Sequence, residues 1–229
     1  MNTWMNKILA TFALLAWAPF ALAISPYIKA DSVTAGDVNA VMAQVEKKLQ
    51  AGGFTVVGKH QPQGIAGNGV VIVTDKAILD TIAKIGGDVI VGAGIRVGVK
   101  ADGTVSYMNP EYWYRAYFRD NYDANQAAVK GVEARLKTAI GAGAAFGGDV
   151  EADKLAKYHY MFGMEYFADN RDLATSASFE KAVETVRANL AKSAGSTAKV
   201  YEVVMADKKV AVFGVAMNDP KTGEGVWVN

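Results

Sequence analysis

The chain has 229 residues, 51% of them apolar, with 24 basic and 23 acidic side chains, two histidines and no cysteine. That apolar share excludes a disordered chain and can fill a sizeable core in one large or two small domains. The near-neutral balance, without a basic stripe, sets nucleic-acid binding aside, and the lack of cysteine excludes disulfide scaffolds, thiol catalysis and c-type haem attachment.

Residues 1–23 carry one positive charge at Lys7, an apolar run from Ile8, Pro19 near its end and the small-x-small triplet Ala21, Leu22, Ala23. This is the pattern of a secretory leader cleaved after Ala23, because the run is too short and too interrupted for a span of about 20 residues. Cleavage would remove 23 of the 229 residues and leave 206, with 23 basic and 23 acidic side chains because Lys7 goes with the leader. A periplasmic or secreted protein without stable membrane insertion is expected.

Thr34 is placed to cap a helix with Asp37 at its third position, and Val38, Val41, Met42, Val45 and Leu49 follow at helical spacing until Gly52 and Gly53. Phe54 to Val57 and Val70 to Val73 read as strands around a polar, glycine-rich loop that holds His60. Ile78, Leu79, Ile82 and Ile85 suggest a short helix that stops at Gly86 and Gly87.

From Ile95 to Tyr107 apolar residues alternate at Ile95, Val97, Val99, Val105 and Tyr107, while Arg96, Lys100, Thr104 and Ser106 fall on the wet face. A two-residue turn would set Val99 opposite Ser106 and mix the faces. A three-residue loop, Ala101 to Gly103, sets Val99 opposite Val105 and Val97 opposite Tyr107, with Gly103 left-handed in a type I turn and bulge. Asn109 then caps a helix whose first position is Pro110 and whose positive end Glu111 complements.

That helix is expected to run, with a break near Asp120 to Asp123, through Val129, Val132, Leu136 and Ile140 to a Gly/Ala run at Gly141 to Gly148. Beyond this candidate linker, Tyr160 to Phe167 reads as a strand, Phe179, Val183, Val186 and Leu190 as a helix, and Lys199 to Met205 and Val210 to Met217 as two strands. The fold class expected is α+β, with antiparallel or mixed sheets packed with helices in two related β-α-β-β halves. In domain terms this gives a signal peptide at 1–23, a first domain at 24–143, a linker and short helix at 144–157, and a shorter second half at 158–229.

The helix ending VEKKLQAGGFTVVGK, the strand GVVIVTD and the segment IRVGVKADGTVSYMNPEYW together resemble the bacterial domain-of-unknown-function family numbered 302. The resemblance covers roughly residues 32–122 and implies a compact α+β domain. It implies no catalytic residues. Where that family has a glycine-asparagine-proline turn after its second strand, this chain has Thr74, Asp75 and Lys76, so that turn's role does not carry over.

Motifs for catalysis are missing. The glycine runs at Gly92 and Gly141 lack the third glycine of a dinucleotide fingerprint, and no Walker loop, nucleophile elbow or EF-hand spacing occurs. No catalytic residue, resident metal or cofactor is assigned. His159 and Met161 share a face if their segment is a strand and could weakly hold Cu(I), against the plainer reading of methionines in a core. The dense aromatic set around Tyr112 could line a pocket, in which case Tyr107, Tyr114 and Arg115 are the candidate ligand-binding residues, although core packing is the favoured explanation of such rings. A non-catalytic module that binds a small molecule or a protein is favoured over a periplasmic enzyme with a dispersed active site.

Overall fold

The computed structural model describes residues 23–159 and 161–227, so the expected leader up to Leu22 lies outside the described residues. In chain order the elements are β1 (Ala23–Ile24), β2 (Tyr27–Lys29), α1 (Val38–Ala51), β3 (Thr55–His60), β4 (Asn68–Thr74), α2 (Lys76–Ile85), β5 (Ile95–Lys100) and β6 (Val105–Met108). There follow α3 (Pro110–Phe118), α4 (Tyr122–Ile140), β7 (Ala145–Phe146), β8 (Val150–Glu151), α5 (Phe179–Ala191), β9 (Thr197–Met205), β10 (Val210–Met217) and α6 (Glu224–Trp227). The fold is α+β, with antiparallel sheets packed against helices.

Six strands pair in the order β3-β4-β5-β6-β2-β7, antiparallel throughout. Period-2 alternation divides them into two faces. One face presents Val71, Val73, Ile95, Val97, Val99, Val105 and Tyr107, all buried in a core shared with Val41, Val45 and Leu49 of α1, Ile78 and Ile82 of α2, and Val129, Val132 and Leu136 of α4. Each such aliphatic side chain contributes about 1.5–3 kcal/mol on burial, which is why these helices lie on this face.

The hairpin has the expected register. Val97 lies opposite Tyr107 and Val99 opposite Val105, and Gly103 has φ 87° with its N–H donating to the Lys100 carbonyl at 2.9 Å. A Cβ at Gly103 would stand 2.2 Å from the Val33 carbonyl oxygen, so close approach as well as φ requires glycine. Asn109 caps α3, its Oδ1 accepting from the Glu111 N–H at 3.2 Å, while its amide donates to the Ser25 carbonyl at 2.8 Å. The break between α3 and α4 falls at Arg119, which takes φ 51°.

Several boundaries differ from the sequence reading. α1 begins at Val38 and is capped by Asp37, whose Oδ1 accepts from the Asn39 N–H at 2.9 Å. Thr34 instead exchanges two backbone hydrogen bonds with the Gln44 side chain, at 3.1 and 2.9 Å. β3 runs on through His60, which is therefore a strand residue, because pairing with Val70 compensates for its polarity. Asp75 caps α2, accepting from the N–H groups of Ala77 and Ile78 at 2.9 and 3.2 Å. Within the glycine run, Ala145–Phe146 pairs with Tyr27 and Ile28 and extends the sheet.

The stretch after His159 forms no strand among the described residues. A lone bridge joins His159 to Tyr166, and Gly163 with φ 82° turns the chain between them. Tyr160 itself lies outside the described residues. The second half consequently has a helix, α5, and the β9–β10 hairpin, without a leading strand. Val203, Met205, Val210 and Val212 of that hairpin pack against the core of the first half, since a two-stranded ribbon cannot enclose a core alone.

Candidate functional site

The face of the six-stranded sheet turned away from the helices is the unusual surface. Register places Gly58, Ile72 and Arg96 in one row across β3, β4 and β5, and His60, Val70, Gly98, Ser106 and Lys29 in the next. A Cβ on Gly98 would meet nothing nearer than the Ser106 hydroxyl at 3.6 Å, so the floor here is open. Around Arg96 it is walled. The β9–β10 hairpin brings Tyr201 across, its hydroxyl 2.9 Å from where a Gly94 Cβ would stand and its ring laid on Gly214 of the paired strand. Both glycines make room for this one ring.

On the other side stand residues of α3. The Arg96 guanidinium lies over the Trp113 indole, 5.2 Å from its centroid, and Nη2 donates to the Tyr117 hydroxyl at a long 3.4 Å. Trp113 is fixed by its own N–H, which donates to the Pro26 carbonyl at 2.8 Å, and by ring contacts with Tyr27 at 6.2 Å and Tyr117 at 5.7 Å. Burial opposes the charge on Arg96, yet the phenol oxygens of Tyr117, Tyr201 and Tyr27 hold its pKa above the ordinary arginine value. The group is a cation in an aromatic surround.

Among the described residues it lacks a counter-ion. Five of the six arginines hold carboxylates: Arg115 with Glu111 at 3.0 Å, Arg119 with Asp88 at 2.7 Å, Arg135 with Asp75 at 2.5 Å, Arg171 with Glu165 at 2.6 Å and Arg187 with Glu202 at 2.7 Å. Arg96 has none among the described residues, although it is half-buried like Arg135, whereas Arg171 is exposed. A guanidinium stacked on a ring keeps its N–H groups in its own plane, a fork shaped for a carboxylate or phosphate. Enclosure without a counter-ion is costly to folding, so this arrangement needs an external reason.

The three residues singled out from sequence lie elsewhere. Tyr107, 1% exposed, faces the helices on β6, and its hydroxyl is buried without a partner, so burial pushes the phenol up to about 12. Tyr114 is 0% exposed and donates to the Gly92 carbonyl at 3.0 Å, with burial raising its pKa well above the ordinary value. Arg115 sits at the opposite side of α3, gripping Glu111 and stacked 4.2 Å over the Tyr122 ring. Burial leaves the two phenols no surface for a ligand, and Arg115 is already paired. Alternation put Arg96 on the wet face, but the rings that enclose it come from distant segments.

No family profile, curated protein or solved structure matches this chain.

Other candidates carry less chemistry. A depression of about 540 Å³ between Gln63, Gly64 and the segment Met217 to Pro220 has Asp219 on its rim, but that carboxylate already accepts from the N–H groups of Lys221 and Thr222. Asn218 Oδ1 is unpaired nearby, a neutral acceptor whose burial costs far less than that of a cation. His60 Nε2 is engaged by Glu224 at 2.6 Å. His159 Nδ1 contacts the Met161 carbonyl at 2.8 Å and its ring lies on Tyr166, 4.7 Å between centroids, while the Met161 side chain is exposed. Among the described residues no three His, Asp or Glu side chains converge as a metal site, and no helix is long and apolar enough to cross a membrane.

Proposed function

We propose that this is an exported, non-catalytic binding module that captures a small carboxylate-bearing molecule on the outer face of its six-stranded sheet, with Arg96 as the anchor. The observation that carries the reading is the Arg96 guanidinium, held on Trp113 and among phenols with no carboxylate of its own among the described residues. Gly98 and Ser106 give a floor open enough for the rest of the ligand, and Lys29, across β6 from them, adds a second positive charge. Export to the periplasm or beyond is supported by the leader pattern ending at Ala23. Membership of the family numbered 302 belongs to the same proposal. What supports it is the quoted run of helix, strand and capped hairpin.

The test combines native mass spectrometry of protein purified from its own compartment with calorimetric titration of short mono- and dicarboxylates. Binding is expected in the parent protein and a loss of about tenfold or more in Arg96→Gln, since a hydrogen bond to a charged group contributes about 1.5–3 kcal/mol. Absence of binding at millimolar carboxylate, or equal binding by Arg96→Gln, would overturn the reading.

A further inference from the structure

The indole of Trp113 serves two partners. Besides the Arg96 guanidinium it carries the Phe167 ring, parallel to within 7° with centroids 6.2 Å apart. The two partners differ in how they are held. Arg96 belongs to a central strand, whereas Phe167 belongs to a segment without helix or strand that precedes α5.

That segment is poorly rooted. Phe162 is 98% exposed, Leu173 92% and Phe167 itself 46%. Its ties to the remainder include the Phe167 N–H donating to the Tyr158 carbonyl at 3.0 Å, the Asn170 amide donating to Asp88 at 3.2 Å, and an edge-on contact of Phe167 with Tyr158 at 5.3 Å. Its other hydrogen bonds are local, such as the Tyr166 N–H to Asp169 at 2.8 Å and Arg171 to Glu165 at 2.6 Å, and a segment with little apolar burial against the rest of the fold opens at low free-energy cost. Trp113, by contrast, is fixed by the Pro26 carbonyl and by Tyr27, Tyr112 and Tyr117. A rigid ring platform is therefore covered by a loosely held ring.

We infer that Phe167 occupies the seat of the ligand's own ring, so that the site is built for a planar aromatic carboxylate and the segment 161–173 is displaced when such a molecule binds. This rests on the carboxylate reading of Arg96 and goes further by naming the ligand class and its internal competitor. The guanidinium lies 5.2 Å and the phenyl ring 6.2 Å from one indole centroid, so the anion position and the ring position share a single platform. Offset stacking on tryptophan selects for flat π-systems over saturated rings. Entry exchanges one stacked ring for another and adds the ion pair that Arg96 lacks.

The experiment titrates benzoate, cyclohexanecarboxylate and acetate into the parent full-length protein and into Phe167→Ala, Asn170→Ala and Arg96→Gln. Chymotryptic cleavage at Phe162 is followed with and without benzoate. Benzoate should bind more tightly than the other two. Phe167→Ala should tighten benzoate by about fivefold or more while leaving acetate unchanged, as removal of a competing seated state requires. Asn170→Ala should shift benzoate the same way to a smaller extent and keeps the test valid if Phe167→Ala folds poorly. Benzoate should also speed cleavage at Phe162. Equal binding of all three acids, or weaker benzoate binding in both variants, combined with loss in Arg96→Gln, would remove the ring seat and leave the Arg96 reading standing. Failure of all three acids to bind the parent protein would remove both.

Discussion

A residue kept for a ligand should be replaceable without harm to the fold, and Arg96→Met tests this without knowledge of the ligand. Methionine follows the arginine stem along the same sheet face and removes the charge. The losses are one cation–π contact at 5.2 Å, about 0.5–2 kcal/mol in such surroundings, and a hydrogen bond to Tyr117 that at 3.4 Å is near the limit of counting as one. The gain is relief of a half-buried cation without a counter-ion, and replacement of enclosed ionic groups by apolar ones commonly gains about 1–4 kcal/mol. These ranges set the balance between about 1 kcal/mol against methionine and about 3.5 kcal/mol in its favour, centred near a gain of about 1 kcal/mol, or roughly 2–4 °C in Tm for a chain of this size. Urea and thermal unfolding of both proteins at neutral pH read it directly. Arg135→Met is the contrast. It strips the partner from Asp75, whose side chain is 4% exposed, and should lose about 1–3 kcal/mol. A loss above about 2 kcal/mol in Arg96→Met would make Arg96 a structural residue and refute the reasoning.

Two further outcomes follow from the same geometry. Tyr107→Phe removes a buried hydroxyl without a partner and should be neutral or stabilising by about 1 kcal/mol, whereas Tyr114→Phe strands the Gly92 carbonyl and should cost about 1–2 kcal/mol; unfolding curves in urea separate them. Glu111 accepts from Lys130 at 2.9 Å and Arg115 at 3.0 Å; burial works against its charge, but these cations hold its pKa below the ordinary 4.5. Its contribution is therefore present above about pH 4.5 and lost as pH falls through the lowered folded-state value. Glu111→Gln should flatten the acid limb of stability against pH, and an unchanged limb in pH-dependent unfolding would contradict this.

Where a structural feature depends on near neighbours in the chain, the residues announce it. The bulged hairpin follows because only a three-residue loop keeps Val99 and Val105 on one face, and Asn109 with Pro110 specifies the start of α3 within three residues. Helical periodicity likewise identified the buried stripe of α1. Errors arose where two local solutions compete. Thr34 and Asp37 are both good caps, and the choice fell to Asp37 because the Gln44 side chain takes up the Thr34 backbone. The aromatic stretch before Phe167 has strand composition but no neighbouring edge to pair with beyond the His159–Tyr166 bridge, so it stays irregular.

The candidate site divides along the same line. Alternation by itself put Arg96 on the face opposite Val97 and Tyr107, because side chains on a strand have a period of two whatever surrounds them. The Asn109 cap sets the start of the helix that carries Trp113 and Tyr117. Tertiary structure alone decided that Tyr201 crosses to Gly94, that Phe167 settles on Trp113, and that no carboxylate among the described residues reaches Arg96 while every other arginine finds one. Period and capping act within a few residues of chain. Enclosure of a charge depends on which remote segments pack over it, and no local pattern records that.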